Sequence, residues 1–161
     1  MNPEKDFYAI SITDAYGNEK NFADFKGNVL LIVNTASNCG FAKSAYPELA
    51  KLVESFGSRG LKVLLFPCNQ FRNQEPNDIE AIKKSVARYS SDFILFDKVD
   101  VKGDNIHPVY AYLTKSKGGW FGSTIEWNFT KFLVNKKGEV VERYTPLKSV
   151  PHSLVEKLCS E

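Results

Sequence analysis

The chain has 161 residues, 43% of them hydrophobic and 25% charged, enough to bury roughly 70% of its unfolded surface without disulfide or metal staples. Lys and Arg number 21 against 19 Asp and Glu, a formal net charge of +2, and the signs are interspersed, which argues against a nucleic-acid surface. Disorder and a disulfide scaffold are likewise excluded, and residues 1–161 are expected to form a single domain.

Met1 to Asp6 are polar and mixed in charge, without the cationic start and apolar stretch of a secretory signal. No apolar run approaches the roughly eighteen residues of a membrane span. Phe7 to Thr13 alternate apolar and polar residues and Asp14-Ala15-Tyr16-Gly17-Asn18 supplies turn chemistry, so an N-terminal β-hairpin ending near Phe22 is expected. Val29-Leu30-Leu31-Ile32-Val33 is a continuous β-rich run suited to a strand buried on both faces. Tyr46, Leu49, Leu52, Val53 and Phe56 then recur at helical spacing, with Gly57 or Gly60 available to end the helix. The order repeats: Leu61 to Phe66 reads as a strand, Pro67 to Pro76 as a loop, and Ile79, Ile82, Val86 and Tyr89 as one helix face, with Pro76, Asp78 and Glu80 suiting its first turn. Phe93 to Val101 reads as a third strand, His107 to Thr114 as a short helix, and Lys115 to Thr124 as a glycine-containing loop. Trp127 to Val134 and Val140 to Tyr144 flank Lys136-Lys137-Gly138 as a hairpin, and Pro151 to Cys159 forms a closing helix. This βαβα order followed by a hairpin and a helix predicts an α/β fold: a central mixed sheet flanked by helices, in a thioredoxin-like layout.

Val33-Asn34-Thr35-Ala36-Ser37-Asn38-Cys39-Gly40-Phe41 leaves the first buried strand and runs toward a helix, where sites form in open α/β sheets. A cysteine just before a helix meets its N-terminal dipole and unpaired N–H groups, which favour a thiolate. Taken alone, Cys39 reads more readily as a small core residue than as a reactive one, because free cysteine packs well in cores. Cys39, Cys68 and Cys159 are odd in number and widely spaced, which fits a reducing compartment, with the cytoplasm as the expected location. Ala36 and Ala42 stand where a Cys-x-x-Cys partner would be, so a plain dithiol exchanger is disfavoured. His107 and His152 have no metal-site spacing, and read as a residue at a helix start and a surface residue; no metal or organic cofactor is implied.

Asn34 to Phe41, Phe66-Pro67-Cys68-Asn69-Gln70-Phe71 followed by Gln74-Glu75-Pro76, and Trp127-Asn128-Phe129-Thr130-Lys131-Phe132 resemble the three signature blocks of glutathione peroxidases. Lys98 to Gly103 and His107 to Tyr110 also fall at that family's places, so the resemblance spans nearly the whole chain. It implies a thioredoxin fold and reduction of hydrogen peroxide and lipid hydroperoxides, with Cys39 as peroxidatic residue and Gln74, Trp127 and Asn128 completing a catalytic tetrad. Those three side chains bring neutral N–H donors suited to a thiolate and to charge developing on peroxide oxygen. Outside that context Trp127 would read as a core aromatic on a strand, and Gln74-Glu75-Pro76 as ordinary loop and helix-start chemistry.

The resemblance also sets expectations about the reductant. Members that use thioredoxin carry a resolving cysteine at the place of Ala87, so glutathione is the expected reductant here. The alternative is a thioredoxin-dependent peroxidase resolved by Cys68 or Cys159, or a peroxide sensor that passes oxidation to a partner protein. Selenocysteine stands at the position of Cys39 in many relatives. Arg72-Asn73 replaces a common glycine before Gln74. Arg72, Lys43, Lys117 and Lys131 are candidate cations for glutathione carboxylates or lipid phosphates. The stretch from Lys115 to Ile125 lacks the insertion used by tetrameric members, which implies a monomer with an open site and transient lipid-surface contact.

Overall fold

Seven strands and five α-helices follow in a computed structural model that describes residues 2–119 and 122–161. The polar start folds into one helical turn, α1 (Pro3–Asp6), capped by the Asn2 side chain, which accepts from the Glu4 N–H. Met1 lies outside the described residues, as do residues 120 and 121 of the loop expected over Lys115–Thr124. The N-terminal hairpin is shorter than its alternation implies, with β1 (Ser11–Thr13) antiparallel to β2 (Glu19–Asn21). Phe7 is pulled wholly into the core instead of lying in a strand, and the chain after Asn21 winds into a 3-10 turn over Phe22–Phe25.

The main sheet contains β3 (Val29–Thr35), β4 (Leu61–Pro67), β5 (Ile94–Leu95), β6 (Lys131–Val134) and β7 (Val140–Tyr144), in the spatial order β5-β4-β3-β6-β7. The pairs β3–β4 and β4–β5 are parallel; β6 lies antiparallel to both β3 and β7. This is the mixed sheet expected from the element order. Every residue of β3 is buried, because the sheet is covered on both sides. Val29, Leu31 and Val33 face a cluster shared with α2 (Ala42–Phe56), α3 (Ile79–Ala87) and α5 (His152–Cys159). Leu30 and Ile32 face a second cluster, built from α4 (Pro108–Ser116), Phe66, Phe96 and the N-terminal aromatics Phe7, Phe22 and Phe25. Truncating one such residue, as in Leu31→Ala, should cost about 2–5 kcal/mol.

Two expected strands are cut short. The third is reduced to Ile94–Leu95, because polar, exposed Asp97 and Lys98 follow Phe96; Phe96 and Asp97 still donate their N–H groups to Leu65 and Thr13. The strand expected from Trp127 begins only at Lys131. Phe129 has φ +63°, a left-handed conformation that no strand accommodates, so Trp127 and Asn128 sit on a turn instead. Helix starts follow local chemistry. Asp78 caps α3 through the Ala81 N–H, and His107 Nδ1 accepts from the Val109 N–H at the start of α4, where Pro108 occupies the first turn. Burial lowers the His107 pKa, which suits a neutral ring accepting at Nδ1.

Candidate active site

Parallel β3 and β4 end side by side, with Thr35 opposite Pro67, so the segments leaving them emerge at one end of the sheet. The segment after β3 carries Cys39 three residues ahead of Ala42, the first residue of α2. The segment after β4 carries Gln74, and the turn before β6 carries Trp127. Cys39, Gly40, Phe41, Arg72, Gln74 and Trp127 line one open depression of about 610 Å³. Cys39 is a free thiol, 5% exposed at the floor of that depression.

Hydrogen bonds tie these segments to one another. The Asn34 side-chain amide donates to the Trp127 carbonyl at 3.0 Å, while the Asn34 carbonyl accepts from the Phe129 N–H at 2.6 Å. Together they hold the Trp127–Asn128 turn against the end of β3. The Asn38 N–H donates to the Gln74 carbonyl at 2.9 Å, and Ser37 donates from both its N–H and its hydroxyl to Glu75 Oε2. Asn128 is fully buried beneath the depression, and its Nδ2 donates to Gln74 Oε1 at 2.9 Å. Of the four residues singled out in the sequence, three therefore line the depression. The fourth braces one of them, with an amide hydrogen committed to Gln74. With Oε1 held in that bond, the Gln74 Nε2 is the end left to donate elsewhere. Trp127 is half-buried, its ring 5.7 Å from that of Phe71.

The remaining cysteines are differently placed. Cys68 follows β4 but packs in the cluster on the opposite sheet face from Cys39; its thiol donates to Gln70 Oε1, and burial pushes its pKa up. Cys159 closes α5 at the other end of the sheet, where its carbonyl accepts from Lys136 Nζ. Burial raises its pKa against the opposing charges of Arg59 and Lys136. Among the candidate cations, Arg72 lines the depression and Lys43 is exposed. Lys131 is a correction: it is 0% exposed, its Nζ donates to the carbonyls of Pro146 and Lys148, and burial depresses its pKa, so it is not available to a ligand.

Sequence reading passed over Asn34 and Glu75, the two side chains that brace the site from below. The available signal was a polar residue at the end of an apolar strand and an acid beside the proposed catalytic glutamine.

Residues 7–114 match the sequence pattern of the family described as Glutathione peroxidase. The chain belongs to the glutathione peroxidase family. It is 53% identical over 146 residues to the probable phospholipid hydroperoxide glutathione peroxidase of Mesembryanthemum crystallinum, spanning 90% of this chain and 86% of that one. The crystal structure of T. cruzi GPX1 superposes with a TM-score of 0.80 at 34% identity, covering 97% of each chain. A thioredoxin family thiol:disulfide interchange protein from Chlorobium tepidum superposes at 0.66 with 14% identity over 93% of this chain and 92% of its own, a likeness of fold alone. The thioredoxin-like layout expected from the element order is therefore the one present. In this glutathione peroxidase Arg72 and Asn73, where the resemblance led to an expected glycine, are both left-handed at φ +56° and +51°. Glycine adopts that conformation without strain, and here two ordinary residues adopt it to turn the chain into Gln74.

Proposed function

We propose that Cys39 is the nucleophile of a hydroperoxide reduction, with Gln74 and Trp127 as donors to its sulfur and to the peroxide, Asn128 holding Gln74 in place, and glutathione as reductant. As a member of its family the chain is a peroxidase; the residue roles are our reading. The observation that carries them is the convergence on one depression of a free thiol, an amide and an indole from three separate chain segments.

In the first step the Cys39 thiolate attacks the terminal peroxide oxygen. The S–O bond forms as the O–O bond breaks, and the alkoxide that leaves takes up a proton to become ROH. Sulfur is oxidised to sulfenic acid, the first reversible rung of its oxidation ladder. One glutathione thiol condenses with the sulfenic acid, releasing water and forming a mixed disulfide. A second attacks that disulfide, returning Cys39 as a thiol and leaving as oxidised glutathione. Cys39 stands at the N-terminal end of α2, where aligned peptide dipoles favour negative charge. Neutral N–H donors aimed at developing charge need no reorganisation during the reaction.

Two placements support an external reductant. Cys68 lies in the cluster on the other sheet face, and Cys159 lies at the far end of β3, roughly 20 Å away for seven residues at about 3.3 Å each. Cys159 is thus too far to close a disulfide with Cys39, since bridged Cα atoms sit within about 7 Å, and the Cys68 thiol is engaged with Gln70. The open depression, walled by Phe41 and Trp127, suits bulky lipid hydroperoxides as well as hydrogen peroxide, and Arg72 offers charge to a glutathione carboxylate. We read the protein as a monomer of a reducing compartment, the cytoplasm in the simplest case, on its three free thiols and short 115–125 stretch.

The test is peroxide consumption with glutathione and thioredoxin supplied separately, for the native chain and Cys39→Ser. Turnover with glutathione, a glutathione adduct on Cys39 and no turnover in Cys39→Ser are expected. Retained turnover in the variant would refute the assignment, and an internal disulfide after one equivalent of peroxide would favour thioredoxin.

A further inference from the structure

The turn carrying Cys39 and the turn carrying Gln74 are held together by neighbouring residues. The Ser37 N–H and hydroxyl both donate to Glu75 Oε2, at 2.9 and 3.1 Å, and the next N–H along, that of Asn38, donates to the Gln74 carbonyl. Glu75 is 0% exposed. Its backbone is pinned on both sides: its N–H donates to Asn69 Oδ1 at 2.9 Å, and its carbonyl accepts from Lys98 Nζ at 2.8 Å. Its other carboxylate oxygen, Oε1, has no hydrogen-bond partner among the described residues.

A buried carboxylate with one bare oxygen is an expensive way to hold a serine. Lys98 does not offset it directly, because its ammonium bonds the Glu75 carbonyl and not the carboxylate. Nor does a cluster of three or more metal-ligating side chains exist among the described residues to employ it. What the charge does supply is grip, since hydrogen bonds to an ionised acceptor are roughly twice as strong as neutral ones.

We propose that Glu75 is a positioning residue for peroxide reduction, its carboxylate gripping Ser37 so that the turn bearing Cys39 stays seated against the turn bearing Gln74. This rests on Cys39 as nucleophile. Reactive geometry is sensitive to such seating: a displacement of about 1 Å can reduce a rate by about a hundredfold.

The proposal separates activity from stability. Burial pushes the Glu75 carboxyl above the ordinary carboxylate range, opposed by the two Ser37 donors and the Lys98 charge. A carboxyl raised on folding stabilises the fold when protonated; that contribution is full below the ordinary value of 4.5 and is lost as pH rises through the raised value. At neutral pH a neutral amide at this position is thus as good for the fold or better, yet grips Ser37 less firmly. The groups facing Glu75 are Ser37, Lys98 and, from α2, Tyr46. Burial, assisted by the charge of Glu75, raises the Tyr46 pKa, so its hydroxyl stays neutral throughout the range.

The experiment measures, for the full chain, Glu75→Gln and Ser37→Ala, the melting temperature and the second-order rate of Cys39 thiol loss with hydrogen peroxide from pH 4.5 to 8. The native rate is read first, so an inert Cys39 exposes failure of the nucleophile assignment separately. Glu75→Gln should melt no lower than the native chain at pH 7 while reacting about tenfold slower. Its deficit should shrink toward nothing as pH falls and the native carboxyl is itself neutralised. Ser37→Ala, which keeps the backbone N–H, should react about threefold slower. Equal rates at pH 7, a deficit independent of pH, or a rate that falls only alongside melting temperature would each overturn the proposal.

Discussion

Cys39 and Cys159 belong to the same apolar cluster and are almost equally buried, 5% and 7% exposed, yet they stand at opposite ends of the sheet. Around Cys39 the chain gathers the Trp127 indole and the Gln74 amide at one open depression, with Asn128 bonded to Gln74 and Ser37 to Glu75 beside it. Around Cys159 it places a helix end closed by ordinary ties, Arg59 to Glu156 and Ser160 and Lys136 to the last carbonyls. Fractional burial therefore does not separate the proposed nucleophile from a packing thiol. What separates them is whether buried polar groups have been gathered around the cysteine, which is a costly arrangement unless chemistry requires it.

The sharpest way to break this contrast is to exchange the sulfurs' fates. Cys39→Ser should lower kcat at least a thousandfold while changing stability by about 1 kcal/mol or less, checked by peroxide consumption and thermal melting. Asn128→Ala removes the donor that holds Gln74 Oε1; kcat/KM should fall about ten- to a hundredfold and stability by about 1–3 kcal/mol, read from steady-state kinetics and urea unfolding. Alkylation should reveal the contrast directly. One thiol, Cys39, should label in the native chain at pH 7 and all three in denaturant, because the raised pKa values of Cys68 and Cys159 keep them protonated until pH climbs further. Native labelling at Cys159 comparable to Cys39 would remove the distinction. Smallest of all, Cys159→Ala should leave turnover within about twofold of native and cost about 1 kcal/mol from a modest cavity, measured by the same assay and melt.

Much of the scaffold was legible because its cues are local. The apolar run at β3, the helical spacing of α2 and the caps at Asp78 and His107 depend on residues a few places apart, and each element lies where its pattern sits. Trp127 and Asn128 were read onto a strand because the sequence up to Val134 looks extended. The left-handed Phe129 that ends the strand early is held by Asn34, on a strand far away in the chain. Lys131 shows the same limit: a lysine in a strand reads as surface until the Pro146 and Lys148 carbonyls are seen to take its ammonium inside.

The sequence by itself determined the α/β order, the mixed sheet, the place of Cys39 before α2 and, through its three signature blocks, the residues proposed to act with that cysteine. Only the tertiary structure decided that Asn128 bonds Gln74, that Cys68 packs on the other sheet face from Cys39 and Cys159 at the other end of the sheet, and that Glu75 is buried against the Cys39 turn. The bonds concerned join residues 38, 54 and 93 positions apart. Such pairs leave no periodicity in the chain; they meet because the register of β3 with β4 and β6 brings the segments beyond them to one end of the sheet.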